Sequence, residues 1–195
     1  CDNNIDSGHS GIFNNGGSVD LTGATIKNCD NTNSGAGGGI YTKPYIWAST
    51  SNAVNLENCI ITNNTAGTGG GIYCYGTEIT IKGGEISSNE AKYGEGGGIF
   101  LSNCGSDCVG KFIMQDSALI IKDNKVTSGT YGGGIYIISG EAKLILNSTS
   151  KDTNNTSSSG KLCYIASGVT ILSGSNINGN SWPSDETISS PHIAN

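Results

Sequence analysis

Residues 95–103 read EGGGIFLSN, and the core of this stretch recurs. GGGI stands at Gly37–Ile40, Gly69–Ile72, Gly96–Ile99 and Gly132–Ile135, each time followed by Tyr or Phe. Aligned on the isoleucine, the series runs Ile12, Ile40, Ile72, Ile99, Ile135 and Cys163, in steps of 28, 32, 27, 36 and 28 residues. A period this long is the mark of a repeat protein, each repeat being one small unit that buries its apolar face only by stacking on the next. Two further signals keep step with the first. Val19/Leu21, Val54/Leu56, Ile79/Ile81, Phe112/Met114 and Val169/Ile171 alternate apolar with mostly polar residues, as a half-buried strand does. Ile-x-x-Asn then follows as ITNN, ISSN, IKDN and INGN, ending at Asn64, Asn89, Asn124 and Asn180, with Cys29 in the Asn place of an early copy.

Three short strands per 27–28 residues, punctuated by Gly and Asn, predict an all-β chain: a right-handed parallel β-helix of about six rungs over residues 1–180. At about 4.8 Å per rung it would be roughly 30 Å long. Helices are disfavoured, since no i, i+3, i+4, i+7 apolar stripe runs free of glycine. Cys1 precedes Ile12 by 11 residues, as Cys29 precedes Ile40, so the sequence opens inside a repeat, as expected of a segment of a longer solenoid. Residues 181–195, SWPSDETISSPHIAN, leave the pattern and are read as a cap or linker, and NSTSKDTNNTSSSG before them as a long loop. After Ile135, Leu144 and Leu146 are read as the second strand.

In a stacked solenoid each position forms a column. The isoleucines and the residues two places later point inward, and the position between them reads Phe13, Tyr41, Tyr73, Phe100, Tyr136, Tyr164. Such a column is read as a structural ring ladder, with sugar stacking as the competing use. The Asn column is read as structural too, by tolerating left-handed geometry or by forming an amide ladder. Both long steps place their extra residues just after the aromatic strand, as TKPYIWASTSN (42–52) and SNCGSDCVG (102–110). Insertions at one corner of a repeat protein mark a binding face. Tyr45, Ile46 and Trp47 either fold back over the flank or meet a partner, and are the candidate partner-binding residues.

The seven cysteines suggest an oxidising compartment. Cys104–Cys108 and Cys1–Cys29 are the disulfides the spacing allows, whereas Cys74 and Cys163 fall on inward positions as buried thiols. Neither a metal nor a cofactor is expected. A net charge of −6 and ten lysines without one arginine speak against nucleic acid as a partner. No run is long and apolar enough for a membrane span, so any anchoring falls to missing parts of a parent protein. Clustered carboxylates, which a glycoside hydrolase needs, are not evident. His9 and His192 stand alone near the ends, and N-x-[ST] occurs at Asn63, Asn147, Asn154 and Asn155.

The paired signals GGGI-[YF] and I-x-x-N resemble the GGA[ILV] and F-x-x-N repeats of the polymorphic outer membrane proteins of chlamydiae. The resemblance covers about residues 1–180, with Gly for that family's Ala and Ile for its Phe. It implies a β-helical passenger region of an adhesin at the cell surface or outside the cell. The expectation is therefore a non-enzymatic display segment that meets a host surface protein or glycan through loops 42–52 and 102–110. Self-association through open solenoid ends is a further possibility the repeat raises. The alternative is a carbohydrate-active enzyme, a polysaccharide lyase or hydrolase, or its glycan-binding fragment.

Overall fold

The computed structural model describes residues 10–45, 53–105, 108–146, 154–177 and 180–194. It is an all-β parallel solenoid of about five turns with no helix among these residues. The first sheet stacks six parallel strands: Ile12–Asn15, Ile40–Lys43, Ile72–Tyr75, Ile99–Ser102, Ile135–Ile137 and Cys163–Ile165. Its register joins Ile12, Ile40, Ile72, Ile99, Ile135 and Cys163, the column that the repeat defines. Thr42, Cys74, Leu101 and Ile137 form the second inward column, and all four are buried.

The second sheet stacks Ser18–Thr22, Ala53–Glu57, Glu78–Lys82, Lys111–Met114, Glu141–Lys143 and Thr170–Ile171. This corrects the assignment of Leu144 and Leu146 to the second strand. Ala142 pairs with Phe112, and Leu146 instead pairs with Ile177 on the third face. Ala142 lies seven residues after Ile135, the same interval as from Ile12 to Val19. Its small side chain hides the strand from a search for large apolar residues, and it sits beside Phe112, the bulkiest fully buried residue of the core. Adjacent large and small side chains keep the column's volume filled. On the last parallel rung, Ile171 rather than Val169 stands in the Val19 column.

Strands Thr25–Lys27, Ile60–Thr62, Glu85–Ser87 and Ile120–Lys122 make the third sheet, with Ile26, Ile61, Ile86 and Ile121 inward. The structure adds a fourth short ladder (Asp30–Ala36, Thr65–Thr68, Glu90–Ala91, Lys125–Val126) that leads into each glycine triplet.

The triplet at Gly96–Gly98 shows why three glycines recur. Gly96 has φ +67°, open to glycine without steric cost. A Cβ on Gly97 would lie 2.4 Å from the Gly133 carbonyl oxygen of the next rung, and one on Gly98 2.6 Å from that of Gly134. The rungs touch backbone to backbone at this corner. Gly98 N–H completes the contact, donating to Gly133 and Gly134 at 3.1 Å.

Beyond Ile177 the chain reverses. Asn180–Trp182, Glu186–Thr187 and His192–Ala194 run antiparallel along the last strands of the third, second and first faces. INGN is therefore not a fourth Ile-x-x-Asn corner. Ile177 pairs with Asn180 across a two-residue connection, and Asn-Gly is the sequence that favours such hairpins.

Candidate functional site

Two columns carry most of the polar and aromatic side chains that the repeat singles out. At the corner after the third sheet, Asn64, Asn89, Asn124 and Asn155 are stacked and buried. Each side-chain oxygen accepts from the preceding member: Asn64 Nδ2 donates to Asn89 Oδ1 at 3.0 Å, Asn89 to Asn124 at 3.0 Å, and Asn124 to Asn155 at 3.0 Å. The same oxygens also accept the backbone N–H of the preceding member, at 3.0 Å for Asn64 and Asn89 and 2.9 Å for Asn124. The remaining Nδ2 hydrogens close on the carbonyls of Ile26, Ile61, Ile86 and Ile121. The ladder starts at Cys29, whose backbone N–H donates to Asn64 Oδ1 at 3.1 Å.

The left-handed conformation falls one residue earlier, on Asn28, Asn63, Ser88, Asp123 and Asn154, with φ between +48° and +55°. Asn and Asp tolerate that region better than most residues. Amide ladder and left-handed turn thus share one corner, on adjacent residues. The fourth ladder position belongs to Asn155 and not to Asn180, which is exposed in the antiparallel hairpin. The sequence carried a sign of this, because Asn154-Asn155-Thr156 repeats Asn63-Asn64-Thr65. Seven intervening residues after Leu146 conceal the match from a search at fixed spacing.

The aromatic column runs along the first sheet. Ring centroids are 5.1 Å apart for Phe13–Tyr41, 5.3 Å for Tyr41–Tyr73, 4.8 Å for Tyr73–Phe100, 5.5 Å for Phe100–Tyr136 and 5.6 Å for Tyr136–Tyr164. Tyr73 and Phe100 stack within 9° of parallel, and Tyr41 meets Tyr73 edge-on at 87°. Tyr131, which the repeat does not mark, lies 4.2 Å from Tyr164 and 5.8 Å from Tyr136. Glu95 fixes it by accepting the backbone N–H groups of Thr130 and Tyr131. Burial, with Glu95 adding, pushes the Tyr136 hydroxyl up to about 12.

These rings turn faces or edges to one another, whereas stacking on a pyranose needs a free face. Only Phe13, at the end of the column, is 53% exposed, and the Lys43 ammonium stands 5.5 Å from its ring centroid. Tyr73→Ala removes contacts to Tyr41 and Phe100, each worth about 0.5–1.5 kcal/mol, as well as buried ring surface. The expected result in urea unfolding is a loss of about 2–3 kcal/mol. Partner binding by the folded chain should be unchanged, and reduced binding would assign the ring a contact role.

Four glutamates pair with lysines, all but one of these lysines on an adjacent rung. Glu57 meets Lys82 at 2.7 Å, Glu78 meets Lys111 at 3.9 Å, Glu85 meets Lys122 at 3.3 Å, and Glu90 takes both Lys92 at 2.7 Å and Lys125 at 3.5 Å. Asp20 accepts from Asn55 Nδ2 at 2.6 Å. Among the described residues no three His, Cys, Asp or Glu side chains converge as metal ligands.

The corner after the first sheet is different. Its insertions leave from the second and fourth rungs, either side of the tight turn at Gly76. Cys104 and Cys108 form a disulfide with a Cα–Cα distance of 5.2 Å. Its sulfurs sit over Gly76, where a Cβ would come within 2.4 Å of Cys108 Sγ, so the loop is pressed onto the rung below. Asn103 holds the loop's base: its Oδ1 accepts Gly110 N–H at 2.9 Å, and its own N–H donates to Ser139 Oγ at 2.9 Å.

Along this corner the large apolar side chains stay in solvent. Tyr45 is 47% exposed, Val109 45% and Ile138 44%, on the second, fourth and fifth rungs. Tyr75, on the third, joins the ring column at 6.3 Å from Tyr73. Val109 stands inside an insertion and Ile138 ends the apolar run Ile135–Ile138, so no alternating pattern marks either as exposed. Ile46 and Trp47 lie outside the described residues, as does Cys1. Cys29 is a buried thiol with its Sγ 3.5 Å from the Lys27 carbonyl of its own rung, and its expected pairing with Cys1 lies outside the described residues. Cys59, Cys74 and Cys163 are buried thiols too, and burial pushes Cys74 up to about 12, which leaves it a poor nucleophile.

The chain matches no protein-family model, no curated protein and no solved structure.

Proposed function

We propose that the chain is a secreted or cell-surface binding segment, a rigid solenoid that presents the corner after its first sheet to a host surface protein or glycan. The observation that carries this reading is the coincidence at one corner of both insertions with the exposed Tyr45, Val109 and Ile138. Spread over three rung steps, or roughly 14 Å, these side chains give a ridge wide enough to anchor a partner. Exposed apolar groups rimmed by polar ones are the usual anchors of an interface. Elsewhere the asparagine and ring columns serve the fold, amides bonding amides and rings packing rings, and other exposed apolar residues, such as Ile60 and Ile120 on the third sheet, lie away from the insertion corner. An extracellular setting is supported by the Cys104–Cys108 disulfide. A binding role is also compatible with the ion pairs that engage Glu57, Glu78, Glu85 and Glu90 with lysines.

Deleting residues 43–52 tests the assignment. The expected outcome is a β-type circular dichroism spectrum unchanged from the parent, together with loss of retention on cell surfaces and immobilised glycans. Retention equal to the parent's, with the fold intact, would remove the first loop from the proposed site.

A further inference from the structure

Stacked parallel sheets end in rows of unpaired N–H and C=O groups, which are templates for another chain. At the end formed by Cys163–Ile165, Thr170–Ile171 and Ser175–Ile177, these rows are covered. The returning segment crosses the three faces in reverse order and pairs antiparallel with each last strand. Ala194 is buried there, and Trp182 and Ile188 pack on the end of the core. Gly168 N–H donates to the Ile188 carbonyl at 2.8 Å, Ile188 N–H to that of Val169 at 3.0 Å, and Leu162 N–H to that of Ala194 at 3.1 Å.

The glycine corner points to the same conclusion independently. At the middle glycine of each triplet a Cβ would lie 2.3 Å (Gly38), 2.5 Å (Gly70), 2.4 Å (Gly97) or 2.7 Å (Gly133) from a carbonyl oxygen of the next rung. On the last parallel rung the triplet reads Gly160-Lys161-Leu162. Side chains at the second and third places suit a rung on which no parallel rung stacks. The covering segment also has the features of a protected edge: strands of two or three residues, Pro183 and Pro191 beside them, and the acidic Asp185 and Glu186 at the start of the middle strand.

We propose that residues 180–194 are a stacking stop, which keeps a second copy of this chain from docking its first rung on the last one. Among the described residues, the strands Ile12–Asn15, Ser18–Thr22 and Thr25–Lys27 each pair on one side only, and Phe13 ends the ring column there. Joining such a head to an uncovered tail is a heterologous contact that does not close, so it yields filaments rather than dimers. The inference does not depend on the binding role of the insertion corner.

The test uses the full chain with Trp182→Ala and Ile188→Asp, which loosen the segment while keeping its length. Sedimentation over a tenfold-order concentration range should find the parent monomeric. The double variant's weight-average mass should at least double, and adding Phe13→Lys should return it to monomer. A double variant that keeps its β spectrum, exchanges the Leu162 amide rapidly and remains monomeric overturns the proposal. So does a parent chain that already forms filaments dispersed by Phe13→Lys. Should the double variant lose its β spectrum, Ile188→Ala is judged by the same masses.

Discussion

Replacing Asn89 by alanine is expected to remove on the order of 4 kcal/mol from the folded chain, a large share of the 5–15 kcal/mol typical of a domain. Asn89 sits in the middle of the buried amide ladder, and its side chain makes four hydrogen bonds there. Alanine leaves the backbone N–H and one Nδ2 hydrogen of Asn64 without an acceptor and takes a donor from the Ile61 carbonyl. Asn64, Asn89 and Asn124 are all buried, so bulk water does not reach the groups left behind. A buried group left unsatisfied costs about 1–3 kcal/mol, so three of them dominate over the lost packing. Asn180→Ala provides the contrast, because Asn180 is exposed in the hairpin; its change should stay within about 0.5 kcal/mol. Urea unfolding of the two variants beside the parent measures both. A loss below about 1 kcal/mol for Asn89→Ala would mean that the ladder relaxes onto other partners.

Gly97→Ala is expected to cost about 3 kcal/mol or more, because the methyl group has nowhere to go. Its Cβ would stand 2.4 Å from the Gly133 carbonyl oxygen and 2.6 Å from that of Lys125, both of them backbone. A flexible side chain could swing aside, but backbone held in two ladders can yield only by moving the rungs apart. Gly17→Ala separates this effect from conformational strain. Gly17 has φ +102°, yet a Cβ there meets nothing within 4 Å. Its penalty is conformational only, about 1 kcal/mol. Thermal unfolding of the two alanine variants should therefore rank Gly97 well below Gly17. The reverse order would place the cause of the glycine repeat in backbone freedom rather than in rung contact.

The solenoid was readable because its columns write themselves into the sequence as repeated triplets and isoleucines at near-constant intervals. What escaped has physical causes. Ala142 occupies a strand position beside Phe112, so volume compensation erased the large apolar residue that marks the other copies. Asn155 was displaced by the residues that follow Leu146, although its Asn-Asn-Thr context matches that of Asn64. Asn180 imitated the corner motif because Ile-Asn-Gly-Asn is both an Ile-x-x-Asn string and a favoured hairpin sequence, and the antiparallel register decides for the hairpin. Tyr131 joins the ring column from a different corner, which no period along a single column can disclose. At the insertion corner the extra residues were plain in the spacing. The exposure of Val109 and Ile138 was not, since an apolar residue within an insertion, or at the end of an apolar run, reads the same whether it is covered or bare.

The measurement that bears most directly on function is a screen of the chain against immobilised glycans, polysaccharides and host surface proteins, scored for retention and for newly released reducing ends. The account predicts retention without product, lost when Trp47 is replaced by alanine and kept when Tyr73 is. Released reducing ends would contradict it, and would make the chain a carbohydrate-active enzyme.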